Sequence, residues 1–242
     1  MAVRTIIASG GASLVPDVGS RALARYTLGA ASRTKPRVLF VGTASGDDAG
    51  LVARFYETYG QLDCRPSHLP FFRRTPADLR ALVLAQDVVH VGGGNTRSML
   101  AVWREWGFGD ALREAWTRGV VLCGSSAGSI CWFAEGVTDS TEGDLLPIDC
   151  LGFLRGSNCP HYDGEAARRP TYQRLVASGA LQAGYAADDG VGLHYRDDEL
   201  HGVVSSRPGS TAYRVEPDGS GGMRETPLVA TDLPAETTTA DE

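Results

Sequence analysis

The sequence predicts an α/β protein with three layers, in which helices cover both faces of a mostly parallel central sheet. Three segments lead to this prediction: residues 37–42, 87–91 and 120–123. Each is a largely apolar run, as in strands that are buried on both faces, and each leads through a turn that contains glycine into a helical pattern. Regular alternation of buried strands and helices is typical of parallel sheets.

The segments between these strands extend the same alternation. Residues 4–9 predict a strand that ends at two glycines, and residues 20–28 predict a helix. Apolar residues at helical spacing predict a second helix from Asp47 to Gly60. Thr75-Pro76-Ala77-Asp78 predicts the start of a third helix, which continues to residue 86.

Length and composition indicate one domain. The chain has 242 residues, of which 43% are hydrophobic, and this is enough for one large α/β core. We expect this domain to span residues 1–217 and to close with a hairpin over residues 200–215. Residues 218–242 are rich in Gly, Thr and acidic residues, so we expect a loosely ordered tail there.

Charge and hydropathy exclude several classes of function. The net charge of −6 gives no general basic field for nucleic acid, and no apolar run is long enough to cross a membrane. The N-terminus lacks the apolar core of a signal peptide, so we expect a cytoplasmic protein without nucleic-acid or membrane partners. Scattered cysteines without a C-x-x-C pair argue against a disulfide framework and a zinc site: Cys64, Cys123, Cys131, Cys150 and Cys159.

Residues 124–128, Gly-Ser-Ser-Ala-Gly, match the G-x-S-x-G pattern directly after a predicted buried strand. In a nucleophile elbow, such a strand turns sharply at the serine and continues as a helix, here through the apolar residues 130–133. Glycines on both sides leave room for the strained turn. In a chain with 30 glycines the pattern also arises by chance, but the strand-turn-helix context favours Ser126 as a nucleophile.

A second glycine-rich junction, Gly92-Gly93-Gly94-Asn95-Thr96, links another predicted strand to a helix. Such backbone can approach a ligand closely, and its amides can hold negative charge. A ligand-free turn is one alternative, and a phosphate loop is another, although the Walker lysine and the G-x-G-x-x-G spacing are missing. In an acyl-transfer enzyme, this turn would supply an oxyanion donor beside the N–H of Ala127.

A serine nucleophile needs a general base, and the chain has five histidines. Four are weaker candidates because they lie in or near predicted strands or beside a proline-rich segment: His68, His90, His194 and His201. His161 lies among turn-forming residues, 157–164, where a side chain can be held at the end of a strand. A merely exposed histidine is the alternative, but His161 is the best candidate for the base.

Together, the motifs Gly92-Gly93-Gly94-Asn95-Thr96, Gly124-Ser125-Ser126-Ala127-Gly128 and Asn158-Cys159-Pro160-His161 resemble the peptidase E family of aspartyl dipeptidases, to which cyanophycinase is related. The resemblance covers residues 37–213. It implies a flavodoxin-like fold similar to that of class I glutamine amidotransferases, with serine in place of their elbow cysteine. It also implies a serine exopeptidase without a metal or other cofactor, in which Ser126 is the nucleophile and His161 the general base.

The same resemblance implies the other members of the catalytic site. Gly94 and Ala127 are the expected oxyanion donors. The carboxylate that orients the histidine matches Asp189 in Asp188-Asp189-Gly190, and Asp139 is the alternative. We prefer Asp189 because it borders a tight turn beside a predicted strand, whereas Asp139 is one of five acids between residues 135 and 149.

The substrate preference is less determined. The arginines of Gly164-Glu165-Ala166-Ala167-Arg168-Arg169 resemble a family motif, so we expect Arg168 or Arg169 to clamp a carboxylate of a small peptide, with Asn95 also in contact. A solvated helix face is the alternative for the two arginines. Residues 129–133 depart from the aspartyl dipeptidase pattern, which leaves a carboxypeptidase or cyanophycinase-like specificity open.

Two other classes of function stay open at this point. An esterase or acyltransferase would use the same elbow, and an amidotransferase-like binding domain would keep the fold without a working triad. A glutamine amidotransferase is disfavoured, because Cys123 lies three residues before Ser126, inside the predicted strand. A homodimer is also left open by the sequence.

Overall fold

A computed structural model describes residues 3–11, 14 and 20–234, which form two β-sheets and the helices packed on them. Over these residues the strands are β1 (Thr5–Ser9), β2 (Arg37–Val41), β3 (Arg65–Leu69), β4 (Val88–Val91), β5 (Val121–Ser125), β6 (Phe133–Thr138), β7 (Leu146–Asp149), β8 (Leu154–Cys159), β9 (Gly184–Ala187), β10 (Val191–Arg196), β11 (Glu199–Ser205), β12 (Ala212–Pro217), β13 (Met223–Pro227) and β14 (Ala230–Asp232). The α-helices are α1 (Ser20–Gly29), α2 (Ala49–Tyr59), α3 (Leu79–Leu84), α4 (Thr96–Glu105), α5 (Phe108–Thr117), α6 (Ala127–Ile130) and α7 (Arg168–Ala177).

The larger sheet is the predicted central sheet. Its eight described strands lie in the order β14-β11-β10-β1-β5-β4-β2-β3. Neighbours from β1 to β3 in this order are parallel, whereas β10 runs antiparallel to both β1 and β11. The prediction of a mostly parallel sheet is therefore confirmed. In its parallel half, the turns that follow β1, β2, β4 and β5 meet at one edge of the sheet.

Successive residues of these strands face opposite layers. In β2, Leu39 belongs to the core beneath α3, α4 and α5, whereas Phe40 stacks on Phe55 of α2. The same alternation separates Ile6 from Ile7 in β1. Helices therefore cover both faces of the larger sheet, as its apolar strands predict.

The smaller sheet is a feature that the sequence analysis missed. Its six described strands lie in the order β13-β12-β9-β8-β6-β7, and α7 packs on it through Tyr172, Leu175 and Val176. Several buried strand positions hold polar residues, such as Ser157 and Asn158 of β8. Because these strands lack continuous apolar runs, a search for such runs does not find them.

Two predictions for the C-terminal part are wrong. Residues 200–215 do not form a hairpin, because β11 joins the larger sheet while β12 joins the smaller one. Residues 218–242 are not loosely ordered throughout, because β13 pairs with β12 and β14 pairs with β11. Main-chain pairing orders this segment despite its low apolar content, and residues 235–242 lie outside the described residues.

Two helices also differ from their predicted bounds. The helix expected to start at Thr75 begins at Leu79, because the side chain of Asp78 caps its first turn. The helix after the elbow ends at Ile130, and β6 already begins at Phe133. The chain therefore leaves the elbow after a single helical turn and enters the smaller sheet.

Candidate active site

Ser126 lies in the sharp turn between β5 and α6. Its backbone has φ 57° and ψ −118°, outside the regions that L-residues favour, and such strain costs about 1–3 kcal/mol. A Cβ atom at Gly124 would lie 2.5 Å from the carbonyl oxygen of Gly128, and one at Gly128 would overlap the carbonyl group of Val91. Both glycines are therefore required where strand and helix approach, as a nucleophile elbow demands.

His161 and Asp189 form a hydrogen-bonded pair. His161 follows β8, and Asp189 lies in the turn between β9 and β10. The Nδ1 atom of His161 is 2.7 Å from Oδ1 of Asp189, and the two side chains are 20% and 22% exposed. The hydrogen bond with His161 lowers the pKa of Asp189 below its ordinary value, so the carboxylate is ionised at neutral pH. An ionised carboxylate in this position can fix the tautomer of the imidazole.

Two neighbouring acids hold the turn that carries Asp189. The Oδ1 atom of Asp163 accepts a hydrogen bond from the main-chain N–H of Asp189 at 2.8 Å. Asp188 is buried, its N–H donates to the carbonyl oxygen of Thr211, and its carboxylate accepts from the N–H of Thr211. Asp188 therefore anchors the turn, which leaves Asp189 to contact His161.

The segment Ser9-Gly10-Gly11, which begins with the last residue of β1, joins the parts of the candidate site. The carbonyl oxygen of Ser9 accepts from the N–H of Ser126 at 3.3 Å, and that of Gly10 accepts from the N–H of His161 at 3.1 Å. A Cβ atom at Gly11 would lie 2.5 Å from Nδ1 of His161 and would overlap Oδ1 of Asp189. Consecutive residues of one segment thus touch Ser126, His161 and Asp189.

From the sequence, Gly10 and Gly11 are predicted only to end a strand, and nothing there assigns them to the site. A possible signal was available, because two adjacent glycines directly after a buried strand often permit a close backbone approach. The long-range partners of these glycines lie more than a hundred residues away in the chain, so their role becomes visible only in the folded protein.

The predicted oxyanion donors lie in the two glycine-containing turns at the same edge of the larger sheet. A Cβ atom at Gly93 would be 3.1 Å from Cβ of Ser126 and 3.6 Å from its hydroxyl oxygen. Gly94 has φ 133°, and a Cβ atom there would overlap the carbonyl group of Ala44. Ala127 is the first residue of α6, where a backbone N–H has no carbonyl partner within the helix. The glycine turn therefore passes directly beside the Ser126 side chain.

Asn95 contacts the protein itself rather than facing a substrate. Its Oδ1 atom accepts from the N–H of Ser98 at 2.9 Å and caps α4, and its Nδ2 atom donates to the carbonyl oxygen of Ser140 at 2.8 Å. The amide group is therefore used to join the start of α4 to the segment after β6. These contacts give Asn95 a structural role and do not support the prediction that it binds substrate.

Arg168 is likewise part of the protein interior. Its side chain is 1% exposed, its Nε atom donates to Glu165 at 2.6 Å, and its Nη1 atom donates to the carbonyl oxygen of Val137 at 3.2 Å. Its third contact is an ion pair with Asp139 at 3.2 Å. The prediction that Arg168 clamps a substrate carboxylate is wrong, because the guanidinium is buried and already neutralised. Asp139, the alternative candidate for the carboxylate of the triad, is paired with Arg168 and not with His161.

Arg169 is also engaged. Its guanidinium forms an ion pair with Glu225 of β13 and lies over the rings of Tyr162 and Tyr213, at 5.2 and 5.0 Å from their centroids. These contacts fasten α7 to the smaller sheet. The structure therefore does not support Arg169 as the carboxylate clamp.

Three of the other four histidines pair with tyrosines. In each pair the Nδ1 atom of the histidine contacts the tyrosine hydroxyl: His68 with Tyr56, His90 with Tyr59 and His194 with Tyr26. Burial lowers the pKa of both His90 and His194 to about 4, so both rings are neutral at pH 7. His201 lies beside His194, with ring centroids 5.2 Å apart. These contacts are structural, as the sequence analysis expected for His68 and His90.

A pocket of about 270 Å³ opens at Ser126. It is lined by Leu14, Phe40, Ser45, Leu51, Arg54, Gly92, Gly93, Gly94, Ser125 and Ser126. A larger cavity of about 940 Å³ lies at the opposite edge of the sheet, beside the starts of β1 and β5, and its lining includes neither Ser126 nor His161. The smaller pocket is therefore the candidate substrate site.

The described residues also bear on three alternatives: a cysteine nucleophile, a metal site and a membrane span. Cys123 is buried in β5, and burial raises the pKa of its thiol, so it is unsuited to act as a nucleophile. Within residues 3–11, 14 and 20–234, no three His, Cys, Asp or Glu side chains cluster as metal ligands would. The helices in these ranges are also too short or too polar for a membrane span.

Comparison with known proteins identifies the family. The family model for Peptidase family S51 matches residues 6–203. Over 213 residues the protein is 51% identical to a Bacillus subtilis (strain 168) protein named uncharacterized peptidase YgaJ, and the match covers 88% of this chain and 92% of that protein.

Two solved structures share the fold. A peptidase from an acI-B1 Actinobacterium has a TM-score of 0.71 at 16% identity, with 97% of each chain covered. A putative peptidase E protein from Listeria monocytogenes EGD-e has a TM-score of 0.61 at 18% identity, with 85% of this chain and 99% of that chain covered. The predicted fold class is thereby confirmed. With the match over residues 6–203 and the 51% identity to a peptidase, the chain belongs to peptidase family S51, the peptidase E family, and is a serine peptidase.

Proposed function

We propose that this serine peptidase is an exopeptidase that hydrolyses short peptides through a triad of Ser126, His161 and Asp189. The observation that carries the proposal is the set of contacts made by Ser9-Gly10-Gly11, which touch all three residues. The 2.7 Å hydrogen bond between His161 and Asp189 supports the roles of base and orienting carboxylate. The strained turn at Ser126 supports the role of nucleophile.

In the proposed mechanism, the hydroxyl oxygen of Ser126 attacks the carbonyl carbon of the scissile peptide bond, and Nε2 of His161 accepts the hydroxyl proton. Asp189 accepts Nδ1–H and stabilises the imidazolium that forms. The N–H groups of Gly94 and Ala127 are the proposed donors to the oxyanion. His161 then protonates the leaving amine, and water hydrolyses the acyl-enzyme by the same steps in reverse order.

The size of the pocket supports action on short peptides. Ligand pockets commonly have volumes of about 300–1,000 Å³, and the pocket at Ser126 has about 270 Å³. Such a volume suits the end of a peptide better than the middle of a long chain. An exopeptidase in the manner of the aspartyl dipeptidases fits this restriction, and a carboxypeptidase fits it as well.

The test is a panel of dipeptides, longer peptides and p-nitrophenyl esters assayed with the wild type, Ser126→Ala and His161→Gln. We expect cleavage of one terminal residue from short peptides, and a loss of about 10³- to 10⁶-fold in kcat for either variant, because the triad acts as a unit. Ser98→Ala, on the exposed side of α4, is the matched control and should keep full activity.

Peptide hydrolysis that is unchanged in Ser126→Ala would contradict the proposal. Cleavage of esters without any cleavage of peptides would instead favour an esterase. Internal cleavage of long peptides would contradict the exopeptidase assignment while leaving the triad intact.

A further inference from the structure

Arg54 of α2 is a charged residue at the substrate pocket to which no role has been assigned so far. It lines the same pocket as Ser126, and the other lining residues that the structure describes carry no formal charge. The walls between them include the apolar side chains of Leu14, Phe40 and Leu51. The pocket therefore offers an apolar space with one cation at its wall and the candidate nucleophile at its floor.

The guanidinium of Arg54 has no partner within the described part of the chain, where neither a hydrogen bond nor an ion pair involves it. The side chain is exposed to the pocket and to solvent. Arg168 and Arg169 differ from it in this respect, because each is neutralised by acids of the protein. Of the three arginines considered at the site, Arg54 is thus the one available to a ligand.

The two acids just before α2 are already engaged elsewhere. Asp47 accepts hydrogen bonds from the main-chain N–H groups of Phe71 and Phe72. Asp48 caps α2 by accepting from the N–H of Leu51 at 2.8 Å. Both carboxylates therefore stabilise local structure. Glu57, three residues after Arg54 on α2, forms no hydrogen bond or ion pair with it. Among the described residues, no acid therefore compensates the charge of Arg54 in the pocket.

From this arrangement we propose that Arg54 binds a carboxylate of the peptide substrate and thereby determines specificity. A guanidinium matches a carboxylate through two parallel hydrogen bonds. Apolar side chains beside such an ion pair lower the effective dielectric constant around it and strengthen the attraction. The carboxylate is either the side chain of an acidic residue or the free C-terminal group, since both present the same chemistry to Arg54.

The inference rests on the proposed function, because the bound carboxylate matters for catalysis only if the scissile carbonyl group lies at Ser126. In that case Arg54 fixes the position of the peptide end, while the reacting bond remains at the elbow. Removal of Arg54 should therefore raise KM more than it lowers kcat, and only for substrates that carry the recognised carboxylate.

The test compares the wild type, Arg54→Gln and Arg54→Lys on six dipeptides: Asp-Leu, Asn-Leu and Leu-Leu, each as the free acid and as the C-terminal amide. We expect Arg54→Gln to raise KM about 10- to 100-fold for substrates with the recognised carboxylate, as lost charge-assisted hydrogen bonds do. Arg54→Lys should restore part of this loss. Arg97→Gln, an exposed arginine of α4 outside the pocket, is the matched control and should behave as the wild type.

The substrate arms separate the two sources of the carboxylate. If Arg54→Gln raises KM for Asp-Leu amide but not for Asn-Leu amide, Arg54 binds the acidic side chain. If the variant raises KM for all three free acids but not for their amides, Arg54 binds the C-terminal carboxylate. An equal change in KM for all six substrates, or no change, overturns the inference, provided that thermal unfolding shows both Arg54 variants to be folded.

This outcome can be distinguished from failure of the proposed function. If Ser126→Ala abolishes cleavage while the Arg54 variants show no carboxylate-dependent change, only the inference about Arg54 is wrong. If Ser126→Ala retains full activity, the proposed function itself is wrong.

Discussion

The two sheets contribute to the candidate site in different ways. The larger sheet supplies Ser126 at the end of β5, and there a strand, a turn and one helical turn of continuous sequence set the geometry. The smaller sheet supplies His161 after β8, and Asp189 follows β9 of the same sheet just before the chain crosses to β10. The first contribution is local in sequence, whereas the second depends on how the two sheets meet.

This difference explains why one short segment matters for the whole site. Ser9-Gly10-Gly11 begins at the last residue of β1, the strand that lies between β5 and β10 in the larger sheet. From there it binds the main chain of both Ser126 and His161. Both of these residues have positive φ angles, 57° and 55°, and such strained conformations persist only where the surrounding structure holds them.

The contribution of the smaller sheet, the pair of His161 and Asp189, can be tested most strongly with Asp189→Asn. The amide can no longer stabilise the imidazolium of His161, and it favours the wrong tautomer, so kcat should fall by about 10⁴-fold. Asp139→Asn is the matched control, because this acid is 58% exposed and pairs with Arg168. It should change kcat less than about threefold, because Asp139 is the exposed partner of this pair and Arg168 keeps its ion pair with Glu165. Steady-state kinetics on one dipeptide measure both variants.

The pH dependence of stability provides a second readout for the same pair. The pKa of Asp189 is lowered by its hydrogen bond with His161, so the contribution to stability is present above the unfolded pKa of about 3.9 and is lost as pH falls through the folded pKa. Asp189→Asn should therefore remove this part of the acid sensitivity. If Asp139→Asn were the more damaging variant in kinetics, Asp139 and not Asp189 would be the partner of the histidine.

A smaller effect is expected from Gly11→Ala. This variant tests the segment Ser9-Gly10-Gly11, which connects Ser126 with the pair of His161 and Asp189. The added methyl group would overlap Oδ1 of Asp189 and press on the ring of His161, so it should displace the pair. We expect kcat/KM to fall about 100-fold, as a small misplacement of catalytic groups does. The free energy of unfolding should fall by about 1–3 kcal/mol, the usual cost of overpacking.

Gly29→Ala is the control for Gly11→Ala. Gly29 ends α1, and a Cβ atom there would meet no other atom within 4 Å. Kinetics and urea unfolding should show this variant to be as active and as stable as the wild type. Wild-type activity in Gly11→Ala would mean that the segment after β1 does not position His161 and Asp189.

Local patterns in the sequence were sufficient for one half of the site. The apolar runs of β2, β4 and β5 predict the parallel sheet, and the glycines around Ser126 predict the elbow turn, because both depend on adjacent residues. The position of His161 among turn-forming residues then favoured it over the other histidines, and the resemblance to a family added Asp189. The structure brings these two side chains together at 2.7 Å. Neither residue has a strong local signal of its own.

The sequence could not show which polar residues are already satisfied by the protein. Arg168 and Arg169 precede a helical pattern and look exposed, yet one is buried among acids and the other lies over two tyrosines. Arg54 lies in an ordinary amphipathic helix, so nothing in its neighbourhood distinguishes it. Its place in the pocket results from the packing of α2 beside the glycine turn.

The proposed mechanism depends on activation of Ser126, on one sheet, by His161 from the other. It is tested most directly by the rate at which a fluorophosphonate modifies the enzyme, with the modified residue identified by mass spectrometry. We expect that Ser126 alone is modified in the wild type, that the rate falls at least about 100-fold in His161→Gln, and that Ser126→Ala is not modified. Modification of another serine, or an unchanged rate in His161→Gln, would contradict it.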